Sequence, residues 1–247
     1  MLQIENLTKY YNTTLAVDDM SFSVADGEIV GLLGPNGAGK TTILRSIAGI
    51  VRPNSGRIVI NGFDLATHEM QAKRSLAFVP ETPSPYEMLT VYEHLRFVAM
   101  AYNTMEKFEE RAESLLERFD LIEKKDELVL GLSKGMKQKL AVVCAFVHET
   151  QVVLFDEPLI GIDPKGAREL KDMMLSAKNA NCSVLVSTHM LDTAEKVCDR
   201  ILIIERGRKI AEGTMAELHE RAHMGENASL EDMFLKLTEE KPDESAS

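Results

Sequence analysis

The chain alternates between short, continuously apolar runs and longer segments whose apolar residues recur at helical spacing. The apolar runs cover residues 29–33, 152–155, 184–186 and 201–204. Runs of this kind are typical of parallel strands in a sheet that is covered on both faces. One of the helical patterns follows the turn at Asp163, with apolar residues at positions 170, 173, 174 and 177. The alternation therefore predicts an α/β architecture.

Three other segments depart from this pattern. The first 25 residues and residues 56–61 alternate like half-exposed strands, which predicts an antiparallel lobe beside the parallel core. Residues 88–148 contain helical patterns and little strand, so we expect an all-helical insertion between two strands of the core. A last amphipathic helix carries Leu230, Phe234 and Leu237, and a polar tail follows at 241–247.

These segments divide one predicted domain, residues 1–247, into three parts. The core covers residues 1–80 and 149–220, the helical subdomain covers about 81–148, and the C-terminal helix and tail cover 221–247. Methionines at positions 100, 136, 173 and 174 are interpreted as core filler.

Composition narrows the classes of partner. The chain has 28 basic and 39 acidic side chains and a formal charge of −11, which argues against binding to nucleic acid or to an anionic lipid surface. No apolar run approaches the roughly 20 residues that cross a bilayer. The three cysteines are odd in number and widely spaced, so we interpret them as small buried hydrophobes of a protein in a reducing cytosol.

The strongest chemical signal is a glycine-rich turn that leads from an apolar strand into a helix. Its residues are Gly34, Pro35, Asn36, Gly37, Ala38, Gly39, Lys40, Thr41 and Thr42. The glycines let successive backbone N–H groups converge on an anion, and the helix adds the positive end of its dipole. Lys40 is expected to reach the β- and γ-phosphates of a triphosphate, Thr41 to bind Mg²⁺ and Thr42 to lie near the α-phosphate.

Two carboxylates follow the apolar run at 152–155. In a parallel sheet this strand ends at the same edge as the glycine-rich turn. We expect Asp156 to hold Mg²⁺ directly or through water, and Glu157 to act as the general base for the attacking water.

A second helix start lies at Ser133, Lys134 and Gly135. A serine N-cap followed by glycine makes another anion-binding helix terminus. By itself, this feature is better explained as an ordinary helix cap.

With these motifs in order, the chain resembles the nucleotide-binding subunits of ABC transporters over nearly its whole length. Residues 34–42 resemble Walker A, 152–157 Walker B with its catalytic glutamate, and 132–136 the signature motif. Residues 161–163 resemble the D-loop, His189 the switch histidine, and Tyr11 the aromatic that stacks on adenine. The resemblance implies a P-loop NTPase core with a flanking antiparallel β lobe and an inserted all-helical subdomain.

The same resemblance implies the cofactors and partners. It implies ATP and Mg²⁺, a transmembrane permease subunit, a second nucleotide-binding subunit in a homo- or heterodimer, and a cytoplasmic location at the inner face of the cell membrane. Ser133, Lys134, Gly135 and Asp163 are expected to contact the ATP held by the opposite subunit. His189 is expected either to hydrogen-bond the γ-phosphate or to orient the water beside Glu157.

Two positions depart from the usual family pattern. Glu81 stands where the family usually has glutamine, and its carboxylate is expected to serve as a charged Mg²⁺ ligand. Lys134 replaces a commoner glycine, and either approaches the partner's triphosphate or points to solvent. Residues 80–81, residues 133–138 and the short acidic tail resemble the ABC-2-type exporter subgroup. Residues 81–83, 86–102 and 144–146 resemble most the Ecs-type bacterial ATPases.

Several alternatives stay open at this stage. One is a soluble ABC-type ATPase of translation or DNA repair, although the chain has neither a second cassette nor a long heptad insertion. Another is a partner of low activity in a heterodimeric transporter. A last open question concerns four apolar and aromatic residues after the junction of core and helical subdomain, which either form a groove for a helix of a membrane subunit or pack inside that subdomain. They are Tyr86, Leu89, Tyr92 and Phe97.

Overall fold

The computed structural model describes residues 1–225 and 228–239, and a six-stranded sheet lies at its centre. The strand order is β10-β9-β3-β8-β7-β6. The strands are β3 (Ile29–Leu33), β6 (Leu76–Val79), β7 (Val152–Asp156), β8 (Ser183–Thr188), β9 (Arg200–Glu205) and β10 (Arg208–Gly213). All neighbours pair in parallel except β9 and β10. The predicted parallel core is confirmed.

A four-stranded antiparallel sheet flanks this core. Its order is β2-β1-β4-β5, with β1 (Leu2–Tyr11), β2 (Thr14–Val24), β4 (Ser55–Ile60) and β5 (Phe63–Asp64). The antiparallel lobe is therefore confirmed. The predicted alternation is wrong for the end of β4, where Ile58, Val59 and Ile60 are all buried. Successive side chains point to opposite faces, so both faces of this strand end are covered.

Helices connect and cover the strands. They are α1 (Lys40–Ile47), α2 (Glu69–Arg74), α3 (Val91–Tyr102), α4 (Phe108–Arg118), α5 (Lys134–Val147), α6 (Pro164–Asn179), α7 (Leu191–Val197), α8 (Met215–Arg221) and α9 (Leu230–Glu239). Helices α3, α4 and α5 connect β6 to β7. The predicted polar tail, residues 241–247, lies outside the described residues.

The buried residues form three clusters that define the layers. One cluster fills the space between the two sheets around α1. A second joins the opposite face of the parallel sheet to α3, α4, α5 and α6. A third packs α8 and α9 against β9, β10 and Leu33, the last residue of β3. The edge of the parallel sheet that precedes Gly34 is thus supported from both faces.

Most of the predicted core residues are buried, with one clear exception. Met173 and Met174 lie inside α6's apolar face, whereas Met100 is 58% exposed. The interpretation of Met100 as core filler is wrong, because α3 turns this position to solvent beside the exposed Phe97. Within the described part of the chain, no helix is both long and apolar enough to span a bilayer.

The three cysteines are free and half-buried. Burial raises the pKa of the Cys144 thiol to about 12. Burial, together with the negative charge of Asp199, raises the pKa of the Cys198 thiol to about 12. Only the thiolate reacts with alkylating reagents, so at pH 8 we expect both cysteines to react about a thousandfold more slowly than in unfolded protein. Timed iodoacetamide labelling with peptide mass spectrometry measures this, and fast labelling of Cys144 in folded protein would contradict its burial.

Candidate functional site

The glycine-rich turn sits between a fully buried strand and the start of a helix. All five residues of β3 are buried, and α1 begins at Lys40 with Gly39 as its N-cap. Gly39 has φ 107°, a value that residues with a Cβ rarely adopt. A Cβ at Gly34 would come within 2.4 Å of the Ile204 carbonyl oxygen. Glycine is therefore required at both ends of the turn.

Lys40 extends back over the turn that precedes it. Its Nζ donates hydrogen bonds to the carbonyl oxygens of Gly34 at 2.6 Å and Pro35 at 3.2 Å. Burial lowers the pKa of Lys40, while the negative charges of Glu157, Asp156 and Glu81 act in the opposite direction. The ammonium group is thus held among three carboxylates, in a position to meet an anion above the turn.

Asp156 and Glu157 occupy the end of β7 beside this lysine. Asp156 is the last strand residue and is 1% exposed. Glu157 follows in the left-handed backbone region, with φ 48°. Its Oε1 atom lies 3.9 Å from Lys40 Nζ, and both side chains are buried. The two carboxylates therefore belong to the same buried group as Lys40.

His189 follows β8, and its exposed side chain contacts this buried group. Its Nδ1 lies 2.9 Å from Glu157 Oε2, and its backbone N–H lies 3.4 Å from the same oxygen. A carboxylate can only accept hydrogen bonds, so Nδ1 carries the hydrogen and donates a hydrogen bond to Glu157. The imidazole thus contacts the carboxylate of Glu157, and both roles predicted for His189 stay predictions.

These residues line a cavity of about 390 Å³. Its walls include Pro35 to Thr42 of the turn and α1, together with Tyr11, Ala16, Glu81, Glu157, Ile160 and His189. Cavities of about 300–1,000 Å³ are typical of small-molecule sites. Of the residues predicted to bind nucleotide or metal in this subunit, only Gly34 and Asp156 lie behind the lining. Ala16 and Ile160 line it without having been predicted from the sequence.

An aromatic ring closes the end of the cavity beside β1. Tyr11 is 45% exposed, and the Lys9 ammonium lies 5.2 Å from its ring centroid. The preceding Tyr10 is not part of the cavity lining. One face of the Tyr11 ring can therefore stack on a planar ligand.

The oxygen atoms around the cavity match the preferences of a hard divalent cation. Thr41 supplies a hydroxyl, and Asp156 and Glu81 supply carboxylates. Among the described residues, no three His, Cys, Asp or Glu side chains form a ready-made metal site. Mg²⁺ commonly binds through one or two carboxylates together with phosphate oxygens, so the donor set fits an ion that arrives with a nucleotide.

The second helix start lies away from this cavity. Ser133 is the N-cap of α5, is exposed, and accepts a hydrogen bond from the Met136 N–H at 3.3 Å. Ser133, Lys134, Gly135 and Asp163 are all absent from the cavity lining. The exposed N-terminus of α5 can therefore bind an anion only if that anion comes from outside this cavity.

The D-loop segment packs directly on this helix start. A Cβ at Gly135 would come within 2.5 Å of the Gly161 carbonyl oxygen. Asp163 Oδ1 accepts from Lys139 Nζ at 2.6 Å, and this hydrogen bond lowers the pKa of Asp163. The loop that follows Glu157 and the N-terminus of α5 therefore form one packed unit.

Sequence reasoning did not identify Ser187, a buried residue of β8 that contacts Asp156 at the end of β7 and the next residue, Glu157. The only signal was a polar residue near the end of an apolar strand, which is common. Its partners depend on the register between β7 and β8.

Comparisons with known proteins agree with this geometry. The family model described as "ABC transporter" matches residues 17–160. The ATP-binding protein EcsA of Bacillus subtilis is 40% identical over 97% of both chains. The lipopolysaccharide export ATP-binding protein LptB of Haemophilus influenzae is 35% identical over 93% of this chain and 99% of its own.

A solved structure agrees as well. The ATP-binding subunit of an ABC transporter superposes with a TM-score of 0.93 at 39% identity, and covers 96% of this chain and 99% of its own. The predicted ABC fold is therefore confirmed. The cavity, the family match and these relatives together establish that the chain belongs to the ABC transporter family, as a nucleotide-binding subunit with ATPase activity.

Proposed function

We propose that this subunit drives export through a separate transmembrane permease by binding ATP between two nucleotide-binding subunits and hydrolysing it. The observation that carries the proposal is the division of the site. One cavity brings together the glycine-rich turn, Lys40, Glu157 and His189, while the second anion-binding helix start is exposed elsewhere on the subunit. Each half can therefore engage the same nucleotide only from a different subunit.

Within one subunit, the nucleotide lies along the cavity. The base stacks on Tyr11, and the phosphates lie over the turn from Gly34 to Gly39, where the backbone N–H groups and the helix dipole of α1 favour negative charge. Lys40 exchanges its two carbonyl acceptors for phosphate oxygens. Thr42, in the first turn of α1, lies at the α-phosphate side.

Thr41, Asp156 and Glu81 are the residues that would hold Mg²⁺ on the nucleotide. An ion held there would neutralise negative charge on the phosphates. Glu81 brings a second negative charge where an amide would be neutral, so it strengthens the attraction to the cation.

Glu157 acts as the general base. It accepts a proton as water attacks the γ-phosphorus, and the bond from that phosphorus to the bridging oxygen breaks to release ADP. The hydrogen bond from His189 Nδ1 keeps the carboxylate oriented during this step.

The second subunit supplies Ser133, Lys134, Gly135 and Asp163 to the nucleotide. A head-to-tail pair related by a two-fold axis brings each exposed α5 N-terminus over the opposite cavity, and buries two nucleotides. Hydrolysis removes the shared charge contacts, so the pair opens. The second subunit is either another copy or a related chain.

An exposed apolar surface on α3 and on the segment just before it is the docking site for the permease. It consists of Tyr86, Met88, Phe97 and Met100, each at least 46% exposed, and we call it the α3 surface. Tyr86 and Phe97 pack edge to face with their ring centroids 5.1 Å apart. Contiguous exposed aromatic side chains of this kind are typical of protein interfaces.

Each predicted part of the domain has its own role in this proposal. The core at 1–80 and 149–220 binds nucleotide, the helical subdomain at about 81–148 carries the α3 surface and Ser133, and residues 221–247 form the C-terminal part. Docking on a permease holds the subunit at the inner face of the cell membrane. Export as the direction of transport is supported by the identity to LptB, which is named for an export system.

Replacing Phe97 by glutamate tests the permease contact. A charge in the centre of an apolar interface opposes burial, so we expect recovery of a polytopic membrane protein from detergent-solubilised membranes to fall at least about tenfold. Affinity purification of the tagged subunit with mass spectrometry measures it. ATP hydrolysis by the isolated Phe97→Glu variant should stay unchanged.

The matched control is Met70→Glu, which adds the same charge at a side chain that is 64% exposed on α2. It should leave recovery of the membrane protein unchanged. Recovery of ribosomes or DNA in place of a membrane protein would overturn the transport proposal.

A further inference from the structure

Ser187 is a fully buried serine in a strand whose other central residues are apolar. It lies in β8, is 0% exposed, and pairs in register with Asp156 of the neighbouring parallel strand β7. Its hydroxyl donates a hydrogen bond to Asp156 Oδ1 at 2.7 Å. A short hydrogen bond from a buried donor to a carboxylate belongs to the stronger class in proteins. The contact therefore fixes the rotation of the Asp156 side chain.

The same serine also holds Glu157, the residue that follows β7. The backbone N–H of Glu157 is directed at both oxygens of Ser187, 3.2 Å from Oγ and 3.1 Å from the carbonyl oxygen. Glu157 has φ 48°, a conformation that a residue with a side chain keeps only when its surroundings hold it there. This backbone turn directs the Glu157 side chain toward Lys40 and His189.

Ser187 thus joins two groups with different tasks. Its hydroxyl donates a hydrogen bond to Asp156, the candidate metal ligand. Its oxygen accepts a hydrogen bond from the backbone N–H of Glu157, the proposed general base. Asp156 Oδ2 makes no hydrogen bond to any residue that the structure describes, so it is the oxygen left for a cation. An alanine at this position would remove the donor and leave Oδ1 buried without a partner.

We propose that Ser187 is a positioning residue for the hydrolytic site, which orients the Asp156 carboxylate toward the nucleotide-bound cation and keeps the Glu157 turn in its strained conformation. The inference deepens the proposed function and rests on it, since it concerns the same cation and the same base. Partners behind a metal ligand commonly change metal affinity or activity by about 10-fold to 100-fold when they are removed.

Strand β8 supplies a matched control in Ser183. Ser183 is also 0% exposed, and its hydroxyl also donates to an aspartate, Asp26, at 3.3 Å. Asp26 lies outside the nucleotide cavity. Ser183→Ala therefore removes the same group from the same strand without touching Asp156 or Glu157.

The experiment compares wild type, Ser187→Ala, Ser187→Cys and Ser183→Ala. Binding of Mn²⁺ in the presence of a non-hydrolysable ATP analogue is followed by electron paramagnetic resonance, and kcat and KM for ATP are measured at saturating Mg²⁺. We expect Ser187→Ala to weaken Mn²⁺ binding and to lower kcat by about 10-fold to 100-fold each, with KM for ATP changed little. Ser183→Ala should match wild type in all three.

Ser187→Cys separates the hydrogen bond from packing. The thiol is somewhat larger than the hydroxyl but keeps the position filled, and it is a weak donor, so this variant should behave like Ser187→Ala, and it decides the result if the alanine variant does not fold. Wild-type Mn²⁺ binding in the cysteine variant would show that volume alone matters and would overturn the proposal. Equal Mn²⁺ affinity and kcat in Ser187→Ala and Ser183→Ala would overturn it too. Failure of the wild type to bind Mn²⁺ with the nucleotide would instead refute the proposed metal site itself.

Discussion

Replacement of Glu157 by glutamine is expected to lower the rate of ATP hydrolysis by about 100-fold to 10,000-fold, the contribution of a positioned general base. The amide has nearly the same shape as the carboxylate, so the cavity and the contact from His189 Nδ1 can persist, but the amide cannot accept the proton of the attacking water. Phosphate release at saturating ATP measures the effect.

Nucleotide binding should survive this change, because the substitution also removes a negative charge near Lys40 and the phosphates. The variant should therefore accumulate as an ATP-bound dimer, which light scattering after gel filtration in ATP detects. Glu28→Gln is the control: that glutamate is half-buried in an ion pair, with Arg200 at 2.6 Å, and lies away from the cavity. Unchanged phosphate release in Glu157→Gln would show that another group is the base.

Replacement of Lys40 by alanine is expected to weaken ATP binding by about 100-fold or more. The lysine supplies charged hydrogen bonds to phosphate oxygens, each worth about 1.5–3 kcal/mol, and its ammonium offsets the carboxylates of Glu157, Asp156 and Glu81. Without it, these three charges face the triphosphate directly. Calorimetric titration with a non-hydrolysable ATP analogue measures the loss.

Lys178→Ala provides the comparison for Lys40→Ala. Lys178 forms an ion pair with Asp199 and does not line the cavity, so its removal should leave ATP affinity unchanged. Thermal melting of the nucleotide-free variants checks that both are folded. Retention of wild-type affinity in Lys40→Ala would mean that the phosphates do not lie over the glycine-rich turn.

The local parts of the site could be predicted because each depends on neighbours in sequence. A turn from Gly34 to Gly39 between an apolar strand and a helix predicts an anion-binding loop, and the structure has this turn between β3 and α1, with Gly39 as the N-cap in the left-handed conformation. Asp156 could likewise be assigned to the ligand-binding edge, because the carboxyl ends of parallel strands lie together. The helices that carry Ser133 and Leu170 followed from their caps and periodicity.

Exposure was less predictable than secondary structure. The spacing of apolar residues indicates which face of a helix is buried only when the neighbouring elements are known. Met100 was therefore assigned to the core although it is exposed, and Val59 was expected at a half-exposed strand although both faces of that strand end are covered.

By itself, the sequence determined the α/β class, the glycine-rich turn between a strand and a helix, and the two carboxylates at and directly after the end of β7, because these features arise from contacts within a few residues. Only the tertiary structure decided which distant groups meet: His189 on Glu157, Lys139 on Asp163, and Ser187 on both Asp156 and Glu157. Each of these contacts depends on strand register or on the packing of one loop against a helix, and a shift of one residue in the pairing of β7 with β8 would turn Ser187 to the opposite face of the sheet.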